Sequence, residues 1–541
     1  MHGGVDPEWQ GMEGHKSHQG NGLSMWLELL AIFGLGLPIS GSLPLPDVPY
    51  VTVIRPVKGV EPYLYECLAA TFQQNYPPEK LTISFCISTC NDPAHPILER
   101  LLADFPTFDA KIYVEEEDPN LMCPSSNCRI HSKMGPNPKI RNMSRAYREA
   151  KGDIMWIIDC NVWISPSVAG LMVDRLCGFG PSDTRKRKYK FVHQLPLVVD
   201  VSGTTSERDG KPQSQSFRSR IRSSGGLLEE LFLSTSHAKF YTAISTVAVA
   251  PCTVGKSNMF RRSHLDALTR ELTRRQAIGA IFARPCGIDY FSNNICEDHL
   301  IGDLLWYKSV PPKVVQKAAS EGGVPVGEEN IKATANWANH ALVLVPPCVQ
   351  PLSYLPLTSY TARRTRWLRA RKYTVLMATL IEPCVESLLC STYGAFVLTT
   401  LPFCNTVLNI PPTWTAFWTI WWCTMLPWVT VDYYVWALLQ SWSGEFLQSD
   451  EPKPPSFVGS GRSRLFRQWF LAWLGREFLA FPIWFVAVVG GTSVKWRGKT
   501  FKVGLDAKVK QIEVGERVGE GFGLWRLWRG WNVRGRVHKG D

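Results

Sequence analysis

Cysteine pairs at metal-binding spacing are missing from this chain. Its 15 Cys residues include no Cys-x-x-Cys and no Cys/His ladder, which leaves no ligand set of zinc spacing; the thiols read as reduced, small apolar side chains in a main domain facing the cytosol. The first residues do not read as a cleavable signal either. His, Gly and Gln dominate up to Asn21, and the apolar stretch 25–39 contains Glu28; a full span needs about 20 apolar residues, so residues 1–49 read as an N-terminal segment with a short anchor. No internal repeat is evident.

Basic residues, by contrast, are in excess. Across 541 residues, Lys and Arg outnumber Asp and Glu by 59 to 47, a formal net charge of +12, which favours anionic partners: phospholipid head groups, nucleotides or nucleic acid. Charge alone does not choose among them. Most of the 21 Trp lie in the last third, where rings at the ends of apolar runs read as interfacial anchors.

Between residues 51 and 199, β-branched runs alternate with amphipathic stretches, the pattern of an α/β domain with a mostly parallel sheet. The runs are Val51-Thr52-Val53-Ile54, Thr82 to Ile87, Lys111-Ile112-Tyr113-Val114, Ile154-Met155-Trp156-Ile157-Ile158 and Phe191-Val192-His193. A helix is predicted to begin after Asn137-Pro138 and to stop at Gly152. Stretches 202–226 and 309–336, like the basic cluster 185–190, read as insertions and surface loops.

After residue 372 the chain turns apolar. Runs at about 373–401, 414–439 and 469–489 are predicted as two membrane spans and a third span or re-entrant segment. They contain Glu382, Glu386, Arg476 and Glu477, ionisable groups that need partners. Six basic residues lie between 363 and 372 and none between 402 and 413, so the domain at 50–372 is expected in the cytosol. The last segment, 492–541, is a basic tail with Trp525, Trp528 and Trp531 interleaved with Arg526, Arg529 and Arg534. It suits a membrane surface better than a nucleic-acid groove, given the apolar runs beside it.

Ligands of an open α/β sheet bind at the carboxyl ends of its strands. Asp92 follows the second run and Asp159 the fourth. Asp92, in Asn91-Asp92-Pro93, is also a plain turn or cap residue. Asp159 ends a run so apolar that it needs a counter-charge, hydrogen bonds or a divalent cation. Glu297-Asp298 opens an amphipathic stretch and suits either dipole compensation or general-base chemistry. Arg363-Arg364-Thr365-Arg366-Trp367 sits just before the apolar runs, where guanidinium groups suit phosphate and the ring suits a sugar or lipid.

Taken in order, Arg55-Pro56-Val57-Lys58-Gly59-Val60-Glu61-Pro62, Asp92-Pro93, Asn137-Pro138-Lys139-Ile140, Trp156-Ile157-Ile158-Asp159, His193-Gln194-Leu195-Pro196, Thr235-Ser236-His237, Cys252-Thr253-Val254-Gly255, Glu297-Asp298 and Arg363-x-x-Arg366-Trp367 carry a resemblance. The chain resembles the ceramide glucosyltransferases, family 21 membrane members of the family 2-like transferases, and its insertions resemble the fungal kind. The resemblance covers residues 50–500 apart from the insertions. It implies a GT-A-like domain with α-helical transmembrane or interfacial segments, Golgi or endoplasmic reticulum membranes, UDP-glucose as donor and ceramide as acceptor. It further implies Asp92, Asp159, Lys139 and Glu297 at the donor and its metal, Mg2+ or Mn2+; Asp298 as base; Arg363, Arg366 and Trp367 at the diphosphate and acceptor; and His237 and Cys252 near the donor. One departure is plain: Asp159-Cys160-Asn161 lacks the second acid of the usual Asp-x-Asp. The rival expectations are a processive polysaccharide synthase, which needs more spans, and a non-enzymatic basic membrane scaffold.

Overall fold

The computed structural model describes residues 48–122, 134–179, 187–202, 224–276, 286–320, 337–445 and 453–512. The expected N-terminal anchor, most of the two insertions and the Trp-rich end of the tail lie outside them.

The central element is a seven-stranded sheet of β1 (Val51–Pro56), β2 (Leu81–Ile87), β3 (Asp109–Val114), β4 (Ile154–Ile158), β5 (Tyr189–Asp200), β6 (Ser257–Arg261) and β7 (Ala338–Leu352), in the order β3-β2-β1-β4-β6-β5-β7. β1 runs parallel to β2 and β4, β2 to β3, and β5 to β7. Only β6 is reversed among these, antiparallel to both β4 and β5. Every residue of β1 and β4 is buried, because helices cover both faces, as a parallel sheet requires. Alternation then divides the core: Val53, Trp156 and Ile158 pack on one face with Leu68, Leu98 and Val173, while Ile54, Met155 and Ile157 pack on the other with Met143, Phe260 and Leu305.

The helix predicted after Asn137 is α1 (Pro138–Arg148), where the Asn137 side chain accepts from the amides of Lys139 and Ile140 at 2.8 and 3.2 Å. Further along are α2 (Gly225–Ser234), α3 (Ser236–Val247), α4 (Glu297–Tyr307) and α5 (Leu357–Arg371). Within the second insertion, Pro312–Ser320 is helical, with Val314, Val315 and Ala318 buried.

The apolar run from 373 is not one helix. It comprises Leu376–Ile381, a 3₁₀ turn at Glu382–Val385 and α6 (Ser387–Thr400); Pro383 withholds a backbone donor at the break. α7 (Trp414–Glu445) has 32 residues and contains Pro427. α8 (Phe466–Val488), with 23 residues, is the one helix among the described residues long and apolar enough to cross a membrane. The ionisable groups on these helices have partners. Asp432 of α7 receives Trp473 Nε1 at 2.7 Å and Arg476 Nη2 at 3.3 Å from α8, and the ammonium of Lys239 from α3. Glu477 pairs with Arg476 and accepts from Ser387.

Residues 493–512, at the head of the expected tail, form a small antiparallel sheet of β8 (Ser493–Trp496), β9 (Lys499–Val503) and β10 (Val509–Ile512). Val494, Phe501, Val503 and Val509 make its core, packed against Ile295 and Tyr373. One backbone and one side-chain bond fasten it to the loop before α4: Val509 N donates to Asn293 O at 2.7 Å, and Asn294 Nδ2 donates to Ala507 O at 2.9 Å.

Candidate active site

At the carboxyl ends of β1 and β4 lies a cavity of about 730 Å³. Because β6 is reversed, its amino end opens on the same side and brings Gly255 and Lys256 beside Asp159, whose amide donates to Lys256 O at 3.1 Å.

The polar floor of the cavity is a chain of opposite charges. Asp159 Oδ1 lies 3.1 Å from Lys139 Nζ and its Oδ2 lies 3.1 Å from Lys256 Nζ. Lys139 also reaches Glu297 Oε1 at 3.3 Å, and Asn137 Nδ2 donates to Glu297 Oε2 at 3.1 Å. The side chain that caps α1 therefore also orients the first acid of α4. Asp298, next in α4, is partly open to the cavity, and Gly255 lets it approach: a Cβ there would lie 3.0 Å from both Asp298 Oδ2 and Lys139 Nζ.

Charge and burial set these protonation states in opposite directions. Burial alone would push the Asp159 carboxyl up, yet the ammoniums of Lys139 and Lys256 outweigh it and hold the group well below the usual carboxylate range. Lys139 is buried, which favours its neutral form, but Asp159, Glu297 and Asp298 keep it charged. Glu297 and Asp298 are both raised, chiefly by burial, with Lys139 limiting the rise. A carboxylate raised in this way is a better proton acceptor than an ordinary Asp.

The basic-aromatic element lies on α5 and faces the same cavity with Arg363, Arg364, Arg366 and Trp367. Arg363 Nε pairs with the fully buried Glu229 at 3.0 Å and its Nη2 donates to Gln350 at 3.3 Å. Arg364 stacks over Phe232 and pairs with Glu382 at 3.3 Å. His237 lines the wall, stacked on Tyr241, and is pushed down to about 3 by burial and by Arg364 and Arg371, so its ring is neutral. The Cys252 thiol, also on the wall, is pushed up to about 11 by burial and stays protonated.

Of the residues expected at the donor, Asp92 stands apart. It does not line the cavity; its Oδ1 accepts from Gly59 N at 2.9 Å and Ala94 N at 3.0 Å, the work of a turn cap. His193 and Gln194 are likewise builders: His193 Nε2 meets His340 Nδ1 at 2.7 Å, and Gln194 Oε1 accepts from Ser257 Oγ at 2.6 Å. Lys256 was not singled out in the sequence, although it directly follows the Cys252 to Gly255 motif.

The residues present do not fit a divalent-cation site. Asp159 supplies a single carboxylate, and both its oxygens already face ammoniums; position 161 offers an amide oxygen where the Asp-x-Asp pattern has an acid. Among the described residues no three His, Cys, Asp or Glu side chains converge to hold a metal. Mg2+ or Mn2+ coordination by Asp159 would require displacing a lysine.

Toward the helices after α5 the cavity becomes apolar. Phe232, Phe240, Ile244, Val375, Ala378 and Ile381 line it there, and Val247, Val249, Leu376, Met377 and Ile381 are exposed beside it. One space therefore joins a charged floor to an apolar mouth.

A doubly covered, mostly parallel sheet with acids and cations at its carboxyl end is the GT-A-like arrangement of a group-transfer enzyme. The chain belongs to glycosyl transferase family 21, whose model matches residues 28–209 and 339–509. It is 48% identical over 490 residues to a ceramide glucosyltransferase of Pyricularia oryzae, covering 90% of each chain, and 43% identical over 489 residues to one of Gibberella zeae, covering 86% of each. Among solved structures it is similar to the mannosyltransferase PcManGT from Pyrobaculum calidifontis in complex with GDP-Man and Mn2+, at 15% identity and a TM-score of 0.33, covering 77% of this chain and 92% of that one.

Proposed function

We propose that this protein transfers glucose from UDP-glucose to the primary hydroxyl of ceramide with inversion, giving β-glucosylceramide and UDP, at a Golgi or endoplasmic reticulum membrane with the sheet domain in the cytosol. The observation that carries this reading is the single cavity with a charged floor and an apolar mouth, since a soluble anionic donor and a lipid acceptor must meet in one space. Asp298 takes the proton from the acceptor hydroxyl; the oxygen forms a bond to C1 of glucose; the bond from C1 to the diphosphate oxygen breaks, and its electron pair leaves with UDP. Lys139 keeps Asp298 ionised and in place, and Lys256 with Arg366 offsets charge on the departing diphosphate. Trp367 offers a flat face to sugar or lipid, and α8 holds the protein at the bilayer.

The test is incubation of purified membranes with labelled UDP-sugars and a panel of ceramide, sterol and diacylglycerol, followed by product identification. A β-linked monoglucosylated ceramide is expected. A growing polymer, or another sugar or lipid as the main product, overturns the reading.

A further inference from the structure

The cations around the cavity are not all paired. Lys139 and Lys256 hold Asp159, Arg363 holds Glu229, and Arg364 and Arg371 hold Glu382. Arg366 and Arg497 form no ion pair among the described residues, and both line the cavity together with Lys58. Arg497 Nη1 is buried with no hydrogen-bond partner. Lys58 Nζ donates to the backbone oxygen of Arg497 at 3.0 Å, which draws the end of β1 to the β8–β9 turn.

The charges repel one another where they stand. Burial pushes Arg366 down to about 10, with Arg363 and Arg497 adding to the fall, and Lys58 is lowered by burial and then by Arg497. None of the three forms an ion pair among the described residues, and the fields of Glu229 on Arg366 and of Asp92 on Lys58 only partly offset a repulsion that is unfavourable in the unliganded protein. A ligand with at least two negative charges removes that cost, whereas a neutral sugar or lipid does not.

The turn that carries Arg497 is built to hold position. Arg497 and Gly498 both have positive φ, 49° and 83°, between the facing residues Trp496 and Lys499, a two-residue hairpin whose register is fixed. The small sheet that holds this hairpin is fastened on two sides: β10 and the turn before it to the loop before Glu297, through Val509 and Ala507, and β8 to α5 by Arg369, whose Nη1 donates to Ser493 O at 2.9 Å. Both attachments lead directly to elements of the site.

We infer that Arg497, with Arg366 and Lys58, grips the diphosphate of the nucleotide donor, so that the hairpin following the last long helix completes the donor site. The inference rests on the nucleotide-sugar reading above and extends it to a segment outside the sheet domain. It also names a source of positive charge where the Asp-x-Asp acid pair is incomplete.

The test is calorimetric titration of the full-length protein in nanodiscs with UDP, UMP and GDP. Arg497→Asn, a residue that tolerates positive φ, is expected to bind UDP about tenfold more weakly, the size of one lost charge-assisted hydrogen bond, with a smaller loss for UMP. Arg497→Lys should recover part of the affinity, and the control Lys495→Ala, an exposed change on β8 next to the turn, should bind UDP as the wild type does. Unchanged UDP affinity in Arg497→Asn, or equal losses for UDP and UMP, overturns the inference while leaving the donor reading intact. A wild-type preference for GDP, with the same dependence on Arg497, overturns the uridine donor and upholds the grip. No binding of any nucleoside diphosphate by the wild type overturns both.

Discussion

Two buried ionic clusters, one on the cavity floor and one among the long helices, use the same residue types to opposite ends. Around Asp432, the ammonium of Lys239, the guanidinium of Arg476 and the indole of Trp473 converge, and Glu477 completes the group. That cluster is closed, and its charges answer one another. Around Asp159 the pairing is also tight, yet Asp298 and Lys256 still face the open space, and the cations on the opposite wall outnumber their acids. Buried charges that satisfy each other fix helices; buried charges with a surplus facing a cavity await a ligand.

That contrast breaks most visibly at Asp298. Asp298→Asn keeps shape and removes the proposed base, so kcat should fall by about 10²–10⁴ while UDP binding is retained; turnover within a factor of about two of wild type would remove Asp298 from the proposed role. Arg476→Met strips the closed cluster of its guanidinium and leaves the buried Glu477 without its ion pair, while Asp432 keeps Lys239. A stability loss of about 3–5 kcal/mol is expected, read by thermal unfolding in detergent, while folded protein keeps its donor KM. A raised KM with unchanged stability would place Arg476 in the donor site instead. Lys256→Gln should weaken UDP about tenfold with little change in stability, sharpening the difference between a ligand-facing and a structural lysine. The smallest effect concerns pH. Lys139 lowers the Asp298 and Glu297 carboxyls, so in Lys139→Met they titrate higher, and activity is lost at a higher pH as the solution is acidified. An acid limb that stays in place in the kcat/KM profile would separate Lys139 from the base.

The first four strands were legible because β-branched runs end at punctuating Asp, Gly and Pro. β7 was not, since it carries Pro346, Pro347 and Pro351, residues that ordinarily argue against a strand. β6 was hidden by its short polar sequence, Ser257-Asn258-Met259-Phe260-Arg261. Of the site, Asp159, Glu297 and Asp298 were visible as acids at strand and helix ends, and Lys139 only through the family resemblance. The convergence of Lys139 and Lys256 on one carboxylate was not, because nothing in local sequence reports that a reversed strand brings residue 256 beside residue 159. Arg497 lies in the basic segment 492–541, where its only local sign is the turn Trp496-Arg497-Gly498-Lys499.

The small sheet after α8 also sets an order in time. Val509 and Ala507 bond to the loop that leads into Glu297, so a ribosome releases the residues that brace this loop only after α5 to α8 have been made. A nascent chain halted before residue 493 carries each acid of the cavity floor and no hairpin beside them. With the hairpin completing the donor site as inferred above, a chain truncated at that point should fold its sheet yet remain a poor transferase.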